Sequence, residues 1–237
     1  MAERLLHAVE LHTHYGLSHV LRGVTFTVGE GETVALMGRN GMGKTTLIRS
    51  MLGYVTPSAG SVFVRGRPMT GAAPYMVARE GVAYVPEGRG IFPNLTVREN
   101  LQMPERAGRD GRRDWTFDRV LATFPPLEER LDLGAGLLSG GEQQMLTIGR
   151  ALVTNPDLLI LDEATEGLAP LIASEIWRIL ARIRAAGVGT VIVDKNTRAI
   201  ARIADRAIVL VKGRVVFDAS PSELIDNREA LQQHLGV

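Results

Sequence analysis

The fold is decided by the stretch Gly38-Arg39-Asn40-Gly41-Met42-Gly43-Lys44-Thr45-Thr46. An apolar run precedes it at residues 33–37, and a helix-like run follows it at residues 47–52. This order of strand, glycine turn and helix fits the pattern G-x-x-x-x-G-K-[ST], in which backbone N–H groups surround a phosphate at the positive end of a helix dipole. Lys44 is expected to reach the β- and γ-phosphates of a nucleotide. The Thr45 hydroxyl is expected to bind Mg²⁺, and Thr46 to add a phosphate contact.

Length and composition limit the possible classes of protein. The 237 residues suit one large domain or a core with an inserted lobe. A net charge of +1 gives no global field that would favour nucleic acid as a partner, and the absence of cysteine excludes disulfides and thiolate chemistry. No apolar run approaches the roughly 18 residues of a membrane span, and residues 1–7 lack the apolar core of a signal peptide. We therefore expect a cytoplasmic protein that reaches a membrane only through a partner.

Short apolar runs alternate with helical patterns over much of the chain. Apolar runs at residues 158–161, 190–193 and 207–211, with a helix expected near residues 171–185, predict a parallel sheet covered on both faces. Closer to the N-terminus, polar and apolar residues alternate over residues 5–11, and the run at residues 24–28 is β-branched. These two segments predict strands joined through a turn.

The composition becomes helical and charged from Glu87 to about Arg150, with a helix-start signal at Thr96. We predict one domain in which a helical subdomain, about residues 87–150, is inserted into a core. The core and its β subdomain are expected to comprise about residues 1–86 and 151–237.

Two carboxylates directly follow the apolar run at residues 158–161. In phosphate-loop ATPases the first carboxylate, here Asp162, ends a strand near the phosphate loop and holds Mg²⁺, and the second, Glu163, is placed to polarise the attacking water. A buried strand that ends in surface acids is the alternative interpretation.

Tyr15 lies in a polar loop ahead of the phosphate-loop strand, where its ring offers a face for stacking of a base, with loop packing as the alternative.

A third motif is Leu138-Ser139-Gly140-Gly141-Glu142-Gln143-Gln144, in which a serine hydroxyl and glycine N–H groups at a helix start form an anion site. Here the chain resembles the ATP-binding cassette (ABC) ATPases, which carry L-S-G-G-x-Q-x between a helical lobe and the carboxylate strand. The resemblance implies an α/β phosphate-loop NTPase (RecA-like) core with a parallel sheet, an N-terminal antiparallel β subdomain and an inserted helical subdomain. It also implies that Ser139, Gly140 and Gly141 close on the ATP of a second cassette, in a homo- or heterodimer.

The resemblance assigns roles to further residues, and the chain departs from the commonest cassette pattern at three positions. Tyr15 matches the residue that stacks adenine, and Glu163 matches the catalytic glutamate. Glu87 stands where most cassettes have glutamine, Ala169 replaces an aspartate, and Lys195 replaces a switch histidine. We expect Glu87 to ligate Mg²⁺ or orient water and to couple the ATP site to a permease. We expect Lys195 to contact the γ-phosphate, with a surface pair beside Asp194 as the alternative.

Residues 85–101 and 163–170 resemble the ATPase subunits of branched-chain and hydrophobic amino-acid uptake systems. This resemblance implies an ATP-hydrolysing subunit, bound peripherally to membrane permease subunits at the cytoplasmic face of the inner membrane and served indirectly by a solute-binding protein. Urea or short-chain amide uptake ATPases are close alternatives. A soluble ABC ATPase that acts on nucleic acid or ribosomes belongs to a different class, and it would need a long coiled-coil insertion or a second cassette. Neither feature is present in the sequence, and Glu163 disfavours a binding module without turnover.

Overall fold

The computed structural model describes residues 4–226. Residues 1–3 and 227–237, which the predicted domain includes at its two ends, lie outside the described residues, as does the start of the N-terminal segment examined for a signal peptide.

The first part of the described chain contains the elements β1 (Arg4–Tyr15), β2 (Ser18–Gly29), β3 (Thr33–Met37), α1 (Lys44–Met51), β4 (Ala59–Val64), β5 (Arg67–Pro68), α2 (Pro74–Arg79) and β6 (Val82–Val85). A helical stretch follows, with α3 (Val97–Gln102), α4 (Phe117–Thr123), α5 (Pro125–Glu128), a 3₁₀ turn (Ala135–Leu137) and α6 (Gly140–Leu152). Strands and helices then alternate as β7 (Leu158–Asp162), α7 (Pro170–Ala185), β8 (Gly189–Val193), α8 (Thr197–Ile203), β9 (Arg206–Val211), β10 (Arg214–Ala219) and α9 (Pro221–Asp226).

These strands form two sheets in the described chain. The N-terminal sheet has four antiparallel strands in the order β2-β1-β4-β5. The core sheet has six strands in the order β10-β9-β3-β8-β7-β6, of which β10 alone runs antiparallel to its neighbour. The predicted α/β fold, with a largely parallel core and an N-terminal antiparallel sheet, is confirmed.

Alternate residues of the core strands pack on opposite faces, as β3 illustrates. Val34 and Leu36 belong to a buried cluster that contains the apolar face of α1 and the inner face of the N-terminal sheet. Ala35 and Met37 belong to the cluster on the other face, which includes apolar residues of α3, α6 and α7. Strands buried on both faces are apolar at every position, which explains the continuous apolar runs in the sequence.

The helices α3 to α6 lie largely within the range predicted for the helical subdomain, although the subdomain borders themselves remain a prediction. The expected helix start at Thr96 is confirmed, because its hydroxyl accepts a hydrogen bond from Glu99 N, while the Glu99 carboxylate accepts one from Thr96 N. This reciprocal capping fixes where α3 begins.

Candidate functional site

The phosphate loop joins β3 to α1, and its glycines are required by geometry. Gly38, Gly41 and Gly43 have φ angles of 143°, 76° and 104°, a region that favours glycine. A Cβ atom at Gly38 would also collide with the carbonyl oxygen of Leu210 on β9. No side chain within residues 4–226 caps the N-terminus of α1. Its first N–H groups are therefore available to a phosphate.

Lys44, the first residue of α1, folds back across this loop. Its ammonium donates hydrogen bonds to the carbonyl oxygens of Gly38 at 3.0 Å and Arg39 at 3.2 Å, and its Nζ lies 4.0 Å from Glu163 Oε1. Only 7% of the side chain is exposed. Burial lowers the pKa of Lys44, and the nearby carboxylates, Glu163 first, oppose that effect. The ammonium is thus held at the mouth of the loop.

Asp162 is the last residue of β7 and is fully buried. Its Oδ2 accepts a hydrogen bond from the Tyr84 hydroxyl at 3.3 Å, and its carboxylate is hydrogen-bonded to the Thr45 side chain. Burial raises the pKa of Asp162. Strand β8 lies between β7 and β3, so Asp162 reaches the loop across one intervening strand.

The oxygens around Asp162 fit the magnesium ion that the sequence predicts. Asp162 Oδ1 is buried and has no hydrogen-bond partner within residues 4–226. It therefore leaves a ligand position open next to the Thr45 hydroxyl, and carboxylate and hydroxyl oxygens are hard ligands that suit Mg²⁺.

Glu163 follows β7 with a left-handed backbone, φ 54°, and its N–H donates to the carbonyl oxygen of Val193 at 3.0 Å. Its side chain is hydrogen-bonded to Glu166. This bond, together with burial, raises the pKa of Glu163 to about 7, while the same bond helps to lower the pKa of Glu166. A carboxyl group with a pKa near 7 can give up and take a proton at physiological pH, which is what a general base requires.

Lys195, just after β8, pairs with Glu166. Its Nζ donates to Glu166 Oε1 at 2.9 Å, and this hydrogen bond raises the pKa of Lys195. Asp194 does not hold this ammonium in the described chain, because its carboxylate accepts hydrogen bonds from the Thr165 hydroxyl and from Asn196 N. Lys195 therefore forms its surface pair with Glu166, whereas the alternative considered from the sequence was a pair beside Asp194. Lys195, Glu166 and Glu163 line one cavity of about 320 Å³.

Glu166 is a site residue that sequence reasoning missed. A turn in which Glu166 N donates to the Glu163 carbonyl at 3.2 Å places the two side chains together. The spacing of three residues is the only sequence signal that could have identified it.

A cavity of about 410 Å³ lies over the phosphate loop, and residues of this loop line it together with Glu87 and Glu163. Its lining comprises Val20, Asn40, Gly41, Gly43, Lys44, Thr45, Thr46, Glu87 and Glu163. Glu87 is exposed, and its charge acts on Asp162 to raise the pKa of that carboxyl group.

Tyr15 does not line the phosphate-loop cavity. It ends β1 with 46% of its surface exposed and lines a separate groove, so its stacking role stays a prediction.

The Ser139 motif forms the start of α6, a helix of 13 residues. Ser139 N donates to the Glu142 carboxylate at 2.8 Å, and Glu142 N donates to Ser139 Oγ at 3.3 Å. A Cβ atom on Gly140 would lie 2.7 Å from the Arg89 guanidinium, and one on Gly141 would lie 2.5 Å from Ile172. Residues 139–141 do not line the phosphate-loop cavity described above. Within the described chain, the two predicted anion sites are therefore separate.

A phosphate loop whose lysine faces a carboxylate at the end of a parallel strand defines a phosphate-loop ATPase. A family model described as ABC transporter matches residues 21–166. The chain is 41% identical, over 94% of its length and 96% of the relative, to the high-affinity branched-chain amino acid transport ATP-binding protein BraG of Pseudomonas aeruginosa. It is 34% identical, over 98% of its length and 99% of the relative, to the probable branched-chain amino acid transport ATP-binding protein LivF of Archaeoglobus fulgidus.

Among solved structures, a nucleotide-free ATP-binding cassette from an ABC transporter is similar, with a TM-score of 0.82, 25% identity and 94% coverage of each chain. The chain belongs to the ABC transporter family and is an ATPase of that class. The predicted resemblance is thereby confirmed. No helix within residues 4–226 is long and apolar enough to span a membrane.

The Glu163–Glu166 pair leads to a pH-dependent prediction. In EDTA and without nucleotide, Glu163 should titrate near pH 7, so that it is mostly protonated below that pH and charged above it. Glu166→Gln removes the neighbouring negative charge and supplies an amide donor to the ionised form. It should therefore lower the pKa of Glu163 by about one unit or more. Carboxyl ¹³C NMR of glutamate-labelled protein measures this change, with Glu163→Gln identifying the signal.

Glu175→Gln is the matched control, because it removes a glutamate that pairs with Arg178 in α7 instead of with Glu163. That variant should leave the pKa of Glu163 unchanged. A Glu163 carboxyl that titrates in its ordinary range in the wild type, or the same pKa in wild type and Glu166→Gln, would contradict the pairing.

Proposed function

We propose that this chain is the ATP-hydrolysing subunit of a transporter that imports branched-chain amino acids. The observation that carries the ATPase part is the approach of Glu163 to Lys44 inside the phosphate-loop cavity, 4.0 Å apart, with Asp162 buried beside them. The transported class is supported by the names of the BraG and LivF relatives and by the pattern at residues 85–101.

ATP binding would change the partners of Lys44. Its ammonium now donates to two loop carbonyls, and the β- and γ-phosphates are stronger acceptors for the same donors. The free N–H groups at the start of α1 would hold the same phosphates. Asp162 Oδ1 and the Thr45 hydroxyl would hold Mg²⁺, which supplies positive charge to the phosphate oxygens when bound.

Hydrolysis needs one proton transfer that Glu163 is placed to perform. Its carboxylate takes a proton from water as the water oxygen forms a bond to the γ-phosphorus. The bond from that phosphorus to the β–γ bridging oxygen breaks, and ADP leaves with the electron pair. We infer that Lys195 turns from Glu166 toward the γ-phosphate, because its side chain is 55% exposed and lines a cavity that Glu163 also lines.

Ser139, Gly140 and Gly141 would bind the γ-phosphate held by a second ATPase subunit, either another copy or a related cassette. What supports this proposal is that residues 139–141 do not line their own chain's phosphate-loop cavity. ATP would then bring two subunits together, and hydrolysis would release them.

The permease subunits would dock in the groove of about 740 Å³ between α1, α2 and α6. Its lining includes Tyr54, Pro74, Thr147 and Arg150, together with Pro86 of the Glu87 loop. Among the lining residues, the exposed ring of Tyr54 offers apolar surface. A short amphipathic helix from a membrane subunit fits such a groove, and it would place this chain at the cytoplasmic face of the inner membrane.

The first test of this function is solute uptake. Cells that lack the gene should lose uptake of labelled leucine and regain it with the wild-type gene but not with Lys44→Ala, because the mutant lacks the ammonium that binds the phosphates. Purified Lys44→Ala should also show no rise in melting temperature with Mg-ATP, whereas the wild type should. Restored uptake of urea or acetamide in place of leucine would contradict the substrate class. An equal thermal shift in both proteins would contradict the assignment of Lys44.

The second test concerns Lys195. Lys195→Ala should reduce ATP turnover at least tenfold, about the loss of one charge-assisted contact, and Lys195→His should restore part of it with a new dependence on pH near 6.5. Arg178→Ala is the control, because Arg178 is a cation in an exposed surface pair with Glu175. Wild-type turnover in Lys195→Ala would show that this lysine only pairs with Glu166.

A further inference from the structure

Tyr84 is the side chain that connects the predicted metal site to the groove. It lies on β6, and its hydroxyl donates to Asp162 Oδ2 at 3.3 Å on the adjacent strand β7. Its ring lines the groove of about 740 Å³, where it lies 6.0 Å from the ring of Tyr54 at an angle of 50°. Tyr84 therefore contacts Asp162 of the predicted metal site with its hydroxyl and lines the groove with its ring.

The two carboxylate oxygens of Asp162 differ in their hydrogen bonding, and the Tyr84 hydroxyl contributes to this difference. Its hydrogen bond is to Oδ2, the Thr45 side chain also hydrogen-bonds this carboxylate, and Oδ1 is buried without a hydrogen-bond partner within residues 4–226. A tyrosine hydroxyl is protonated at physiological pH, so it is available as a donor to the Asp162 carboxylate. A group that hydrogen-bonds a ligating carboxylate fixes its orientation and commonly alters metal affinity.

We propose that Tyr84 is a positioning residue: its hydroxyl holds Asp162 so that Oδ1 stays free for Mg²⁺, and its ring transmits occupation of the groove to that carboxylate. The proposal rests on the proposed function, in which the same groove receives the permease. Tyr84 itself does not line the phosphate-loop cavity.

The length of the hydrogen bond makes this connection adjustable. A distance of 3.3 Å exceeds the usual range of about 2.5–3.0 Å for a hydroxyl donor. A small shift of the ring toward β7 would strengthen the bond, and a shift away would break it. Because the ring is only partly buried and faces the groove, a helix that packs into the groove can produce such a shift.

Tyr84→Phe tests the hydroxyl, because it keeps the ring in the groove and removes only the donor. The full-length variant is heated with saturating ATP and increasing MgCl₂, and its melting temperature is compared with its own value in EDTA. We expect the Mg²⁺ concentration for the half-maximal shift to rise roughly tenfold relative to the wild type.

Tyr54→Phe is the matched control, since Tyr54 lines the same groove and its ring lies beside Tyr84. It should keep the Mg²⁺ requirement of the wild type. An unchanged requirement in Tyr84→Phe, or an equal increase in both variants, would overturn the positioning role. The absence of any ATP-dependent shift in the wild type would instead overturn the proposed function, and this inference with it.

The role of the ring is tested in membranes with the assembled permease, by measuring ATP hydrolysis against Mg²⁺ concentration. Docking should lower the Mg²⁺ requirement of the wild type and leave that of Tyr84→Phe unchanged, because coupling between two sites appears as a change in affinity at each. Equal decreases in both proteins, or no decrease in the wild type, would overturn the connection through Tyr84.

Discussion

The parallel direction of β3, β6, β7 and β8 places the charged groups of the site at one edge of the core sheet. Each of these strands ends at this edge, and a site residue lies at or just beyond its end: Lys44 after β3, Glu87 after β6, Asp162 at the end of β7 and Lys195 after β8. Both faces of these strands are buried against close-packed side chains, which holds the strand ends in place. Packing far from the site therefore determines where its charges meet.

The charged side chains of the site have partners within the protein that could be exchanged when a nucleotide binds. Lys44, Glu163, Glu166 and Lys195 follow one another as cation, carboxyl, carboxylate and cation. Each group has a partner that a phosphate or a water molecule would replace. Lys44 holds loop carbonyls and Lys195 holds Glu166, while a pKa near 7 keeps Glu163 partly protonated. Binding of ATP would thus exchange internal contacts for contacts with phosphate.

Contiguous motifs could be predicted from the sequence, whereas contacts between distant segments could not. The phosphate loop and the Asp162–Glu163 pair are each defined by neighbouring residues whose chemistry needs a particular spacing. Glu166 was missed because its importance depends on a turn and on Lys195, 29 residues away. The bond from Tyr84 to Asp162 joins residues 78 positions apart, and strand order alone brings them together. The prediction that Tyr15 lies in a loop between two strands was wrong, because β1 extends through Tyr15 and pairs it with Ser18 of β2. Its position relative to a base depends on this hairpin and on the nucleotide itself.

We propose that the phosphate loop of one subunit and the Ser139 motif of another form a single ATP site. Light scattering of Glu163→Gln, with and without saturating Mg-ATP, tests it most directly, because slow hydrolysis should preserve the closed pair. The account predicts that ATP changes the mass from one chain to two, and that adding Lys44→Ala to the same protein prevents the change. A Glu163→Gln protein that keeps the mass of one chain at high concentration with Mg-ATP bound would contradict it.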